Sequence, residues 1–240
     1  MIIEGNVSVK AALLANKREI KEIWVNQKKK DRDTHFILAQ AKEKNIPVFL
    51  KNKEEISSVA NGKTHGGLIA FVKERRYESF DSIRSIEMPF FVFVEGVEDP
   101  FNLGYIMRSL YSAGCDALVL PKRNWGDSES VMLKSSAGAF EYMHIVMSEN
   151  PLEDLSMLKE KGCSIYAAMR KDAISYTKAN LKRPLVLLIG GEMRGLSSSI
   201  LQLSEQNIYI PYANDFRNAL NAASAVAILA YEVLRQQENS

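Results

Sequence analysis

Two periods govern the placement of apolar residues along this chain. Unbroken apolar runs at 90–94, 117–120 and 185–189 read as strands buried on both faces, whereas Leu103, Ile106, Met107 and Leu110 recur at helical spacing. In the first third, a helical pattern through Val9, Ala12 and Leu13 precedes a strand at 23–25 and a second helix ending near Asn45. Strands at 47–50 and 68–72 follow, the latter reached through Gly66-Gly67, with a short helix at 53–60 between them. The remainder alternates regularly. It has strands at 90–94, 117–120, 144–147, 164–168, 185–189 and 208–210, with helices at about 102–113, 129–136 and 151–161. A short helix separates the last two strands, and a long one covers about 218–236. Strands that alternate with helices predict an α/β fold whose mainly parallel sheet is covered on both faces. The charged, non-periodic stretch before Pro89 reads as a linker. The expected organisation is therefore a small α/β domain at 1–76, a linker at 77–88 and a larger domain at 89–240.

Charge sharpens that division. Residues 1–77 hold 16 Lys and Arg against 9 Asp and Glu, a net +7, while residues 78–240 carry −5, within an overall +2. A basic amino-terminal part suggests contact with a polyanion, centred on the loop of Lys28, Lys29, Lys30 and Arg32; a merely solvated face has the same composition. Trp24, Phe36 and Phe71 read as core, so shape or backbone recognition of folded RNA is favoured over base stacking. Cys115 and Cys163 make no disulfide framework, and the chain starts without the basic and apolar regions of a signal peptide. A cytoplasmic location is expected. No apolar run approaches a membrane span. His35, His65 and His144 lack the spacing of zinc ligands, so no metal is expected.

Polar or glycine-rich segments outside strand ends are where open α/β sheets bind ligands, and three occur in order. The first, Asp99-Pro-Phe-Asn102-Leu-Gly-Tyr-Ile-Met-Arg108, starts a helix and sets Arg108 off its apolar stripe. Taken alone, Arg108 reads as a solvent-facing arginine. In the second, Gly190-Gly191-Glu192-Met-Arg-Gly195, glycines end a buried strand; they either admit a ligand against the backbone or simply turn the chain, and they form no dinucleotide or Walker motif. The third runs from Ile210-Pro211-Tyr212 through Phe216-Arg217 to Asn218-Ala-Leu220-Asn221 and an alanine-rich helix. Its alanines suit tight packing, but the Asn221 amide, on a buried face, needs hydrogen-bond partners.

In this order and spacing the three segments resemble the motifs of the SpoU/TrmH family of S-adenosylmethionine-dependent RNA ribose 2′-O-methyltransferases, over residues 90 to 235. Ile3-Glu-Gly-Asn6 and His65-Gly66-Gly67 are similar to that family's amino-terminal domain, which resembles a ribosomal-protein fold that binds RNA kinks. The resemblance implies a SPOUT-like catalytic domain with a carboxyl-terminal trefoil knot, an exception to the rule against threading. It implies S-adenosylmethionine held around Gly190, Ile210 and Leu220, and a homodimer whose site completes across the interface. It also implies Arg108 at the reacting centre, as proton acceptor or as phosphate clamp. Asn102 and Asn221 would orient the ribose or the arginine, and Glu192 would fix the glycine-rich loop or pair with a base at the dimer contact. Substrate would be RNA, 23S rRNA first, with a tRNA methyltransferase or a non-catalytic ribosome assembly factor as alternatives. The second arises because Ala219 and Ala223 stand where the family commonly has serine.

Overall fold

Each apolar run assigned to a strand forms one in the computed structural model, which describes residues 1–62, 64–215 and 218–238. The strands are β1 (Ile2–Glu4), β2 (Ile20–Asn26), β3 (Val48–Lys51), β4 (Leu68–Val72), β5 (Phe90–Glu95), β6 (Ala117–Pro121), β7 (Ile145–Ser148), β8 (Ser164–Ala168), β9 (Ala173–Ser175), β10 (Leu185–Gly190) and β11 (Gln206–Tyr209). The α-helices are α1 (Gly5–Ala15), α2 (Arg32–Glu43), α3 (Lys53–Val59), α4 (Pro100–Ser112), α5 (Glu129–Ser135), α6 (Ala139–Tyr142), α7 (Pro151–Glu160), α8 (Ser198–Leu201) and α9 (Ala222–Glu238). The strands β1 and β9 were not foreseen, because three residues are too few to establish a period. Phe216 and Arg217 of the third segment lie outside the described residues.

The chain divides into two units, Met1–Arg76 with Trp125–Tyr142, and Tyr77–Asn124 with Met143–Ser240. Residues 125–142, which the sequence reading placed in the larger domain at 89–240, pack with the first unit. Buried ion pairs accompany that packing. These residues bring Glu129 and Glu141 to Arg18, at 2.9 and 2.8 Å, with all three side chains buried. The first unit's sheet has the order β1-β4-β2-β3, antiparallel except for the β2–β3 pair. Helix α1 packs on β4 and α2, and α3 on β2.

The second unit is built on seven strands in the order β7-β6-β5-β10-β8-β11-β9, every pair parallel. Successive side chains of a strand alternate between faces, so helices on both sides bury β5 and β10 completely except at their last residues. On one face Phe91, Phe93, Val186 and Leu188 join Leu155 and Leu158 of α7 and Ile200 of α8 in one core. Helix α9 packs against α4 and β10. The chain lays β5, β6 and β7 outward in one direction, places β8 on the other side, and later inserts β10 between β5 and β8. Such a reversal leaves a crevice at the strands' carboxyl ends. No helix among the described residues is long and apolar enough to cross a membrane.

Candidate functional site

A cavity of about 250 Å³ opens at that reversal, lined by Ala168, Gly190 and Tyr209 at the carboxyl ends of β8, β10 and β11. Its floor is backbone. A Cβ on Gly190 would lie 2.6 Å from the Gly195 carbonyl carbon, and one on Gly191 would overlap the Gly96 carbonyl. Only glycine lets these strands of backbone approach so closely. Gly191 N–H donates to the Glu95 carbonyl at 2.7 Å, Gly195 N–H to the Gly191 carbonyl at 2.8 Å, and Ser197 N–H to Glu95 Oε2 at 2.6 Å. The loop at 190–196 is thereby tied to the end of β5.

Ile210 and Leu220 line the same cavity, so the three positions expected to hold a cofactor converge. Sequence reasoning missed how Tyr212, Asn218 and Leu220 are held. Leu220 N–H donates to Tyr212 Oη at 2.8 Å, the Arg170 guanidinium stacks 4.3 Å from the Tyr212 ring centroid, and Arg170 Nη2 donates to the Asn218 carbonyl at 3.3 Å. Arg170 and Tyr212 both line the cavity. Tyr212 follows Ile210-Pro211 directly, which was its only signal; Arg170, beyond the end of β8, had none.

Glu192 is exposed and borders both this cavity and a second of about 350 Å³, whose lining includes Asn102, Glu98 and Arg194. Asn102 is held at the start of α4, where the Asp99 carboxylate accepts from the Asn102 N–H at 3.0 Å. Arg108 lies six residues further, about 9 Å along the helix. It is exposed, lines neither cavity of the single chain, and its guanidinium has no partner among the described residues.

Asn221 departs from expectation. The amide was placed on the buried face of a helix starting near 218, but α9 begins at Ala222 and Asn221 is exposed. Its Oδ1 accepts from Ser224 N–H at 2.8 Å, which is N-cap geometry. The side chain's need for a partner is met locally. Ala223 is buried and Ser224 exposed, so that hydroxyl does not replace a serine at 223. In the first unit, Lys28 and Lys29 border a separate cavity, which Lys30 and Arg32 do not line. Lys29 pairs with Asp31 at 2.8 Å, and Asp31 in turn caps α2 through Thr34 N–H. The hydrogen bond from Lys29 and that backbone bond hold the Asp31 carboxyl below its ordinary range. No cluster of metal-ligating side chains occurs among the described residues.

The profile of the SpoU rRNA Methylase family matches residues 89–231, and that of the RNA 2′-O ribose methyltransferase substrate binding domain matches residues 2–78. The 23S rRNA (guanosine-2′-O-)-methyltransferase RlmB of Pectobacterium atrosepticum is 26% identical over 240 residues, covering 98% of each chain. Among solved structures, an AdoMet-bound rRNA methyltransferase from Sinorhizobium meliloti aligns with a TM-score of 0.80 at 22% identity, over 98% of this chain and 86% of that one. The SpoU methyltransferase AviRb from Streptomyces viridochromogenes, in complex with AdoMet, aligns at 0.81 and 18% identity, over 100% and 91%. These structural likenesses establish the fold.

Proposed function

Because the chain belongs to the SpoU rRNA methylase family, we propose that it transfers a methyl group from S-adenosylmethionine to a ribose 2′-hydroxyl of RNA, with 23S rRNA as substrate. The observation that carries this reading is the convergence of Gly190, Ile210 and Leu220 on one cavity at the topological reversal of the sheet. The first unit supplies RNA contact, the second the chemistry. A cytoplasmic location fits two buried, unpaired cysteines, since disulfides belong to oxidising compartments.

The cavity suits a cofactor with an apolar ring system and a charged tail. Ile189, Ile210, Leu220 and Leu229 give apolar walls, the glycine floor exposes backbone, and Arg170 and Glu192 offer one charge of each sign. When bound, S-adenosylmethionine supplies an electrophilic methyl. Gly191→Ala tests the fit without turnover: the added methyl collides with Gly96, displacing the loop at 190–196. Overpacking of this kind costs about 1–3 kcal/mol. Binding of S-adenosylhomocysteine, followed by calorimetry, should weaken at least tenfold; wild-type affinity in the variant would show that the loop does not touch the cofactor.

A ribose hydroxyl is a poor nucleophile until a proton acceptor is at hand, so positioning and deprotonation carry the reaction. A guanidinium holds its proton too firmly to serve as the base. We therefore assign Arg108 to a bidentate grip on the phosphate next to the target ribose, whose oxygen, or a water, takes the proton. Asn102 orients the ribose and Glu192 steadies the loop between the two cavities. Asn221 contributes by fixing the start of α9.

Since Arg108 lines neither cavity of its own chain, we read it as reaching this centre from a second subunit. We read the protein as a homodimer joined through α4 and α9. In support, Phe101 and Tyr105 share an exposed stripe with Arg108, and Tyr231 is exposed on the packed neighbour α9, all about half accessible. We also read the loop at 190–196 and the segments around Ile210 and Leu220 as crossings of a trefoil knot, since they border the cavity and adjoin late-inserted strands. Tritiated methyl transfer to unmodified 23S rRNA tests the whole: label should appear at one alkali-resistant ribose. Label in tRNA alone would move the substrate, and none in either RNA would leave an RNA-binding factor without turnover.

A further inference from the structure

The first unit holds a cavity of about 340 Å³ that neither the charge of the loop at 28–32 nor the catalytic site accounts for. Its position follows from the sheet. The end of β2 and the turn before β4 are neighbours, since Asn26 N–H donates to the Gly67 carbonyl at 2.8 Å, and α3 begins beside them. The turn is built rather than loose. Gly67 N–H donates to His65 Nδ1 at 3.1 Å, so that nitrogen carries no proton, and the opposite Nε2–H donates to Ser57 Oγ at 3.1 Å. His65 is buried by these bonds. Gly67 is held at φ +76° with space for little more than hydrogen, as a Cβ there would lie 3.1 Å from Asn26 Cβ.

Around this fixed turn stand Lys28, Lys29 and Lys53. Lys29 is neutralised by Asp31, but neither Lys28 nor Lys53 has a carboxylate partner among the described residues. Asn26 Oδ1 is committed to Lys28 N–H at 2.8 Å, which leaves its Nδ2 donors directed elsewhere, with no partner among the described residues. The Gly66 N–H is likewise without one. The lining thus offers donors and cations, and the ring it holds among the described residues, His65, is buried and bonded through both nitrogens. Such a surface offers no stacking platform for a base, but it matches a phosphodiester with its ribose, which presents anionic and neutral acceptors together.

We infer that this cavity, formed by Asn26, Lys28, Lys29, Lys53 and the His65–Gly67 turn, is an RNA backbone site that takes one phosphodiester and its ribose. It anchors the substrate on the first unit, whereas the methyl-transfer centre belongs to the second. The inference rests on the proposed action on RNA, and it adds Lys53, Asn26 and the turn to the basic loop while leaving Lys30 and Arg32 outside the pocket.

The test is retention of an unmodified 23S rRNA transcript on filters across a potassium chloride series, with the full-length protein. Each single-strand phosphate contact contributes roughly 0.7 to the slope of log affinity against log salt. Lys28→Ala combined with Lys53→Ala removes the cations that grip the one phosphate, and should flatten the slope by about 0.7 and weaken binding at least tenfold. Asn26→Asp keeps the acceptor for Lys28 N–H while replacing the free amide with a charged oxygen, and it should weaken binding comparably. Lys21→Ala, on the same strand but about 16 Å from Asn26, is the control for general charge. S-adenosylhomocysteine binding should be unchanged in all variants, which shows that loss of RNA is not loss of fold. Pocket variants that retain wild-type affinity and slope, or that change no more than Lys21→Ala, overturn the inference while the catalytic reading stands. A wild-type protein that neither binds nor methylates the transcript overturns both.

Discussion

Arg108→Ala is expected to lower methyl transfer to 23S rRNA by about 10²–10³-fold, the loss typical of removing one preorganised charged donor from a reacting centre. The fold should not notice. Arg108 is exposed and unpaired among the described residues, so urea denaturation should shift by less than about 0.5 kcal/mol. S-adenosylhomocysteine should bind as in the wild type, because Arg108 does not line the cavity of its own chain. Arg108→Lys should recover little activity, since an ammonium supplies a point charge without the planar fork that grips a phosphate. The shared site gives a sharper measurement. A mixture of Arg108→Ala and Gly191→Ala chains should regain up to about a quarter of wild-type activity, because half the dimers are mixed and each of these assembles one intact centre from two defective chains. Absence of recovery in verified mixed dimers would mean that Arg108 works within its own chain or not at all.

That arginine also marks the boundary of what the amino-acid sequence reveals. Buried parallel strands are legible because they are continuous apolar runs, and β5, β8 and β10 were read to within a residue of their ends. The insertion of β10 between β5 and β8 was not, since no local period encodes which strand neighbours which. The cavity residues Gly190, Ile210 and Leu220 were reachable only through the resemblance of ordered motifs, because each is unremarkable in its own window. Asn221 was misread for a local reason: the four residues before α9 were counted into the helix, and a cap was taken for a buried amide. The stack of Arg170 on Tyr212 was invisible because it joins loops 42 residues apart. Residues 125–142 show the same limit at the scale of a domain. Their apolar pattern suits either unit, and the residues they meet, Arg18 among them, lie far away in the chain.

Arg18→Met should therefore be among the most destabilising single changes, lowering stability by about 3–5 kcal/mol, the usual cost of removing one partner from a buried ion cluster. Arg18 meets Glu129 at 2.9 Å and Glu141 at 2.8 Å, and it also donates to the Lys73 carbonyl at 3.2 Å. Without it, two buried carboxylates share the cations that remain. The sign of the pH dependence follows. Burial already pushes the Glu141 carboxyl above its ordinary value, against the pull of Arg18 and Arg75. A raised carboxyl binds its proton more tightly in the folded chain than in the unfolded one. Its contribution is full below the unfolded value and is lost as pH rises through the folded one. Loss of Arg18 raises that carboxyl further, so the penalty should be larger at about pH 8 than at about pH 5 when both are measured by urea denaturation. An equal penalty at the two would place the damage in packing against Phe140, whose ring centroid lies 5.7 Å from the Arg18 guanidinium carbon, rather than in charge. Hydrogen exchange adds location: amides of 1–76 and of 125–142 should lose protection together, because one buried cluster ties both stretches into a single cooperative unit.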